Sequence, residues 1–159
     1  MPKKYWLMKS EPNEFSFDDL KLEPDSRAHW DGVRNYQARN FMRNEMKKGD
    51  LVLFYHSNCD PPGVVGIAEV AKEAYPDHTA WDPKDKHFDP KTTKDNPVWF
   101  MVEVKWKKAF KRFVSLHELK ETRELKDMKV VQRGQRLSVQ PVTRKEFDKV
   151  CKMGSNEFT

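Results

Sequence analysis

The stretch Trp30-Asp31-Gly32-Val33-Arg34-Asn35-Tyr36-Gln37-Ala38-Arg39-Asn40 is dense in side chains that donate or accept hydrogen bonds. It adds two aromatic rings and a glycine where the backbone must turn. Reading one unstacked base takes amide or hydroxyl partners for its Watson–Crick edge and aromatic walls for its faces. Ser10, Trp30, Asn35, Tyr36, His56 and Ser57 are side chains of those types. A methyl group on the base would be favoured by the aromatic lining. Each of these residues also has an ordinary structural reading. A tryptophan is more often core than cage, and an asparagine at a helix start is more often a cap.

A second set points to phosphate. Lys105, Lys107, Lys108, Lys111 and Arg112 interleave with Trp106, Phe110 and Phe113. Cations neutralise phosphates while aromatics stack or anchor. A strand with a basic outer face and an aromatic inner face would look the same.

Other chemistries find less. Cys59 lies three residues from His56, but there is no G-x-S-x-G elbow and no Cys/His protease signature. Asp77, His78, Asp82, Asp85, His87 and Asp89 cluster in one segment without the thiolates or paired histidines of a closed zinc site. Asx-turns in a solvated loop explain them better. None of the six glycines forms a dinucleotide or Walker fingerprint, so no cofactor is expected. No metal is expected either.

These residues need a scaffold. A chain of 159 residues with 37% hydrophobic and 12% aromatic content fits one domain with one buried core. No run reaches the roughly 18 apolar residues of a spanning helix, and no signal peptide follows Met1. A soluble cytoplasmic or nuclear protein is expected, with Cys59 and Cys151 reduced. The net charge of +5 is uneven: residues 100–159 hold 15 Lys+Arg against 8 Asp+Glu, residues 1–99 hold 15 against 17. A basic C-terminal portion suits an anion-facing surface.

Along the chain, apolar runs predict strands at 5–8, 28–30, 51–56, 64–71 and 98–106, and alternation predicts another at 136–140. Gly66 inside its strand implies a bulge or a close approach to the backbone. Ser16 caps a short helix. Ala38, Phe41, Met42 and Met46 predict an amphipathic helix over 36–48, closed by Gly49. Ser115–Glu118 and Thr143–Glu146 are capping boxes for two later helices. Residues 75–97 form a long irregular loop, with the character of a lid or binding loop. The expected domain spans 1–152, with 153–159 a disordered tail. About six strands and four short helices without a βαβ rhythm predict an α+β fold: a mostly antiparallel β-barrel with helices packed outside.

Trp6-Leu7-Met8-Lys9-Ser10-Glu11-Pro12, the central stretch 30–40, Phe54-Tyr55-His56-Ser57-Asn58-Cys59, Ala74-Tyr75-Pro76-Asp77 and Arg136-Leu137-Ser138-Val139-Gln140-Pro141 together resemble the EVE domain family. The resemblance covers Tyr5 to about Val150. It implies a PUA-like barrel related to the YTH domain, with a pocket for a modified base, in some members modified cytosine in DNA. Carried over by motif, Ser10, Trp30, Asn35, His56 and Ser57 would line that pocket, with Tyr36 and Gln140 as further members.

The expected function is a non-enzymatic, monomeric reader of a modified nucleobase in DNA or RNA, with residues 105–112 and Arg133 on the backbone. The alternative is a small hydrolase or transferase acting on a nucleoside-like ligand through His56 with Cys59 or Ser57. A third reading is a protein-interaction module presenting the 75–97 loop.

Overall fold

The computed structural model describes residues 3–155. Its strands are β1 (Tyr5–Ser10), β2 (Arg27–Trp30), β3 (Leu51–His56), β4 (Gly63–Pro76), β5 (Phe100–Ser115) and β6 (Val139–Val142). They form one sheet in the order β2-β5-β4-β3-β1-β6. Only β1 and β3 run parallel. The expected α+β architecture of six mostly antiparallel strands is what the chain adopts. Its two end strands, β2 and β6, do not pair with each other.

Side-chain alternation puts a core on each face of this sheet. Trp6, Met8, Val52, Phe54, Ala68, Val70, Val102 and Val104 face one core. It is closed by Phe17 and Leu20 of α1 (Phe17–Leu22) and by Ala38 of α2 (Tyr36–Asn40). Leu7, Leu53, Tyr55, Val64 and Val114 face the other. That side is closed by Leu119 of α3 (Leu116–Glu121) and by Phe147 and Val150 of α4 (Arg144–Ser155). β5 serves both cores because its pairing with β4 shifts register repeatedly, between Val64 and Gly66 first. Such bulges bend and twist a long strand. Gly66 fulfils both readings of a strand glycine: an added Cβ would strike the Phe17 ring and lie 2.6 Å from Lys108 O.

β4 and β5 run past their expected ends, to Pro76 and Ser115, and three further elements differ from their sequence patterns. The helix expected over 36–48 is α for only one turn and then passes into a π turn, Phe41–Glu45, with Met46 N bonded to Phe41 O. Met42 and Met46 are still buried, so the apolar spacing marked the right inward residues but not the ladder. Asp50 fixes where this segment ends. Its buried carboxylate accepts from Lys47 N, Lys4 N and Trp6 Nε1 at 2.9–3.1 Å. The last strand is Val139–Val142, displaced from 136–140, because those are the residues that pair in register with β1, and Pro141 is inside it. α4 runs to Ser155, with Gly154 packed against Phe110, so ordered structure passes residue 152. The expected tail residues 156–159 lie outside the described residues. The three predicted capping boxes and caps at Ser16, Ser115 and Thr143 all form.

Candidate functional site

Trp30 ends β2, the short edge strand, so its indole lies where the sheet stops. One edge of the ring packs against Phe54, centroids 5.5 Å apart at 78°. The residue is 9% exposed, and that exposure opens into a cleft of about 1300 Å3. Ser10 and Ser57, at the adjoining ends of β1 and β3, line the same cleft. They are tied by Ser57 N to Ser10 O at 2.9 Å. The Ser10 hydroxyl donates to Phe15 O at 2.6 Å, whereas that of Ser57 has no partner among the described residues.

The outer wall is Lys84–His87, contributed by the long 77–99 segment. The central stretch is what clamps this segment down. Asp77, fully buried, accepts from Gly32 N at 2.9 Å and Arg34 Nη1 at 3.1 Å, and from both the amide and hydroxyl of Thr79. Burial pushes its carboxyl pKa upward, but the bonds from Thr79, Gly32 and Arg34 outweigh this and hold it below the usual range. Arg34 also donates through Nε and Nη2 to His87 O. Gly32 has φ of +76°, and a Cβ there would come within 2.5 Å of the His87 ring, so only glycine lets the wall close. Asp85 and Asp89 bond backbone amides two residues on, as Asx-turns do, and Asp89 also takes the Trp99 indole N–H. The carboxylates of this segment are engaged in holding the loop. No cluster with metal-ligand geometry occurs among the described residues.

The charges lining the cleft are unevenly satisfied. Lys86 meets Glu14 across it at 2.8 Å, and Arg27 meets Glu103 at 2.6 Å. Lys9 and Arg136, which line the cleft with Ser138, pair with no carboxylate among the described residues. Burial lowers the Lys9 pKa. This flank thus carries positive charge and a Ser138 hydroxyl with no partner among the described residues.

The other expected pocket residues serve the scaffold. Asn35 is the α2 cap, its Oδ1 accepting from Ala38 N at 3.0 Å. Tyr36 lies outside the cleft, 56% exposed and stacked on Trp99. His56 Nε2 accepts from Phe17 N at 3.1 Å, starting α1, and burial lowers its pKa. Gln140 is 1% exposed, its amide bonded to Leu137 O, because it pairs with Leu7 in the sheet. One step earlier in that alternation, Arg136 and Ser138 do reach the cleft.

None of the basic residues expected on phosphates lines the cleft. Lys105, Lys107, Lys108, Lys111 and Arg112 lie along β5, and Arg133 is exposed before β6. Lys107 meets Glu69 at 3.6 Å. Arg112 is a brace: it donates to Met153 O at 3.1 Å and pairs with Glu118, joining β5 to α3 and α4. The residues that sequence reasoning missed are Lys9, Arg27 and the wall Lys84–His87. Arg136 and Ser138 were visible in the 136–140 alternation, though as one face of a strand.

Two members of the catalytic alternative, His56 and Cys59, are set for other roles. A base at His56 would need the lone pair already bonded to Phe17 N. The Cys59 thiol is pushed up by burial and by Asp60, whereas a nucleophilic thiol needs the opposite shift.

With this geometry in view, the relatives are informative. Thymocyte nuclear protein 1 from Mus musculus is 48% identical over 170 residues, covering 96% of this chain and 74% of that protein. A crystal structure of the human THYN1 protein in complex with 5-methylcytosine-containing DNA matches at a TM-score of 0.91 with 46% identity, covering 98% of this chain and 99% of that one. A Leishmania major protein of solved structure matches at 0.92 with 47% identity, covering 99% and 98%. The EVE domain model matches residues 4–153, and the chain belongs to the EVE domain family.

Proposed function

We propose that this protein is a non-enzymatic reader of modified cytosine in DNA, taking one unstacked base into the Trp30 cleft. The observation that carries the reading is an open cleft with an indole at its base, in a chain that matches a THYN1 protein crystallised with 5-methylcytosine-containing DNA. At about 1300 Å3 the cleft exceeds the 300–1,000 Å3 typical of small-ligand pockets. It therefore suits a nucleotide with its flanking backbone better than a free base. The Trp30 ring supplies the apolar surface against which a methyl group gains. Ser57 and Ser138 supply hydroxyls for the base edge, and Lys9 with Arg136 faces the adjoining phosphates. Lys105, Lys108 and Arg133 extend that contact along the molecule. The Lys86–Glu14 pair, exposed on both sides, contributes little to stability and opens readily.

The reader acts as one copy, in the nucleus of a eukaryotic cell or the cytoplasm of a bacterial one. The outer edge of β6 carries Pro141, which has no N–H to offer a further strand.

The test is equilibrium binding of a short duplex with one 5-methylcytosine and of its unmodified twin. The native chain prefers the modified duplex. Trp30→Ala, if circular dichroism reports a folded domain, binds the two equally. A Trp30→Ala domain that keeps the native preference refutes the pocket. A native chain without any preference refutes the function.

A further inference from the structure

Directly behind the cleft wall lies a second constellation that the base pocket does not use. Arg34 holds His87 O in the wall, and its guanidinium packs over the Trp99 ring at 5.5 Å. Tyr36 stacks on that same ring at 4.9 Å, and Arg39 lies over Tyr36 at 5.0 Å. One turn on, Arg43 lies over Phe100 at 5.6 Å.

The two guanidiniums converge on one neutral atom. Asn40 Oδ1 accepts from Arg39 Nε at 3.1 Å, from Arg39 Nη2 at 2.8 Å and from Arg43 Nη2 at 3.3 Å. Arg39 Nη1 is held by Val98 O at 2.9 Å, and Arg43 Nε by Asn44 Oδ1 at 3.1 Å. Among the described residues, the arginines that meet a carboxylate are Arg27, Arg34, Arg112 and Arg144, and neither member of this pair. A guanidinium offers five N–H donors, so both retain donors beyond those used here. Burial first and the charge of Arg43 second lower the Arg39 pKa, as like charges held together should. Two fixed forks with no counter-charge match the geometry by which arginine grips phosphate oxygens.

We propose that Arg39 and Arg43 together hold one phosphodiester of the DNA strand whose base enters the cleft. The proposal rests on the modified-base reading for its partner. Trp99 links the pair to the cleft wall, because Arg34, which holds His87 O, and Tyr36, which carries Arg39, share its ring. Asn40 and the Tyr36–Trp99 stack pre-set the Arg39 side chain, so little rotamer freedom is lost on binding. The site adds affinity and register, and no preference for one base over another.

The experiment compares the native chain with Arg43→Gln and Arg43→Lys, using the modified and unmodified duplexes over a salt series. Arg43 is exposed, and among the described residues its hydrogen bonds are to Asn40 and Asn44 and its ring contact is to Phe100, so its loss leaves the fold intact. Arg43→Gln weakens both duplexes by the same factor, about 3- to 10-fold, and flattens the slope of log K against log[salt] by roughly 0.9. Arg43→Lys restores the slope. Unchanged affinity and slope in Arg43→Gln overturn the site. Inorganic phosphate that binds the native chain but not Arg43→Gln, and does so at matched ionic strength without displacing DNA, would assign the pair to free phosphate and overturn the strand contact. A native chain that binds both duplexes equally removes the base reading, while the slope still decides the arginine pair. A chain that binds neither duplex removes both.

Discussion

His56 shows that residue type alone does not tell which partner a side chain takes. It stands at the end of β3 beside Ser57, one residue from the cleft, yet its ring nitrogen accepts the amide that opens α1. Asn35 and Gln140 follow the same pattern, each a good base partner by chemistry and each already bonded inside the scaffold. Ser10, Trp30 and Ser57 come together in one cleft because strand ends converge at one rim of a sheet, and all three lie at such ends. The His56 bond has a measurable signature. Nε2 can accept only when unprotonated, and burial lowers the folded pKa below the ordinary 6.5. The unfolded chain therefore binds the proton first, and stability falls as pH drops from 6.5 toward the folded value. Thermal melts of the native protein should lose midpoint between pH 7 and 5, and His56→Gln should lose less. Parallel curves for the two would remove His56 from that account.

At the scale of elements, the strands and caps were readable and the long-range placements were not. Capping boxes are local, so Ser16, Ser115 and Thr143 could be read directly. The π turn after Asn40 depends on Asp50 catching Lys47 N and Trp6 Nε1, contacts between distant positions. Likewise the composition of residues 75–97 marked a loop, but only Gly32, Arg34 and Asp77 determine that it becomes a wall. Asp77→Ala leaves the Gly32 amide and Arg34 without their buried acceptor, a loss of about 1–3 kcal/mol. Hydrogen exchange should speed through residues 77–99 while β1 and β3 keep their protection. Uniform exchange across the chain would show that the loop is not an independent unit. Gly66→Ala tests the opposite region. Its Cβ meets the Phe17 ring and Lys108 O, so denaturant midpoints should fall by the equivalent of about 1–3 kcal/mol. An unchanged midpoint would mean that α1 shifts freely away.

Over the whole molecule, charge and topology divide the work. The excess of basic residues after position 100 is a general feature of the surface, but its members have different fates. Arg112 braces two helices and Lys107 meets Glu69, while Lys105, Lys108 and Arg133 stay exposed. Two of the positive charges that line the cleft, Lys9 and Arg136, come instead from opposite ends of the sequence. A count of charges by segment cannot find such a pair, because the β1–β6 ladder is what brings them together. DNA affinity should fall linearly on a log–log salt plot, each neutralised phosphate adding about 0.9 to the slope. Binding indifferent to salt would leave the basic surface without a role.

The cleft joins two parts of unlike origin. Its base belongs to strands whose other faces are buried, so a change there disturbs both cores. Its outer wall is a detour between β4 and β5, self-supported by aspartate turns and pinned at Asp77 and at His87 O. Such an arrangement makes the detour an interchangeable part. A descendant of this chain could acquire a taste for a different heterocycle by remodelling four or five residues near Lys84, leaving the frame that presents them untouched.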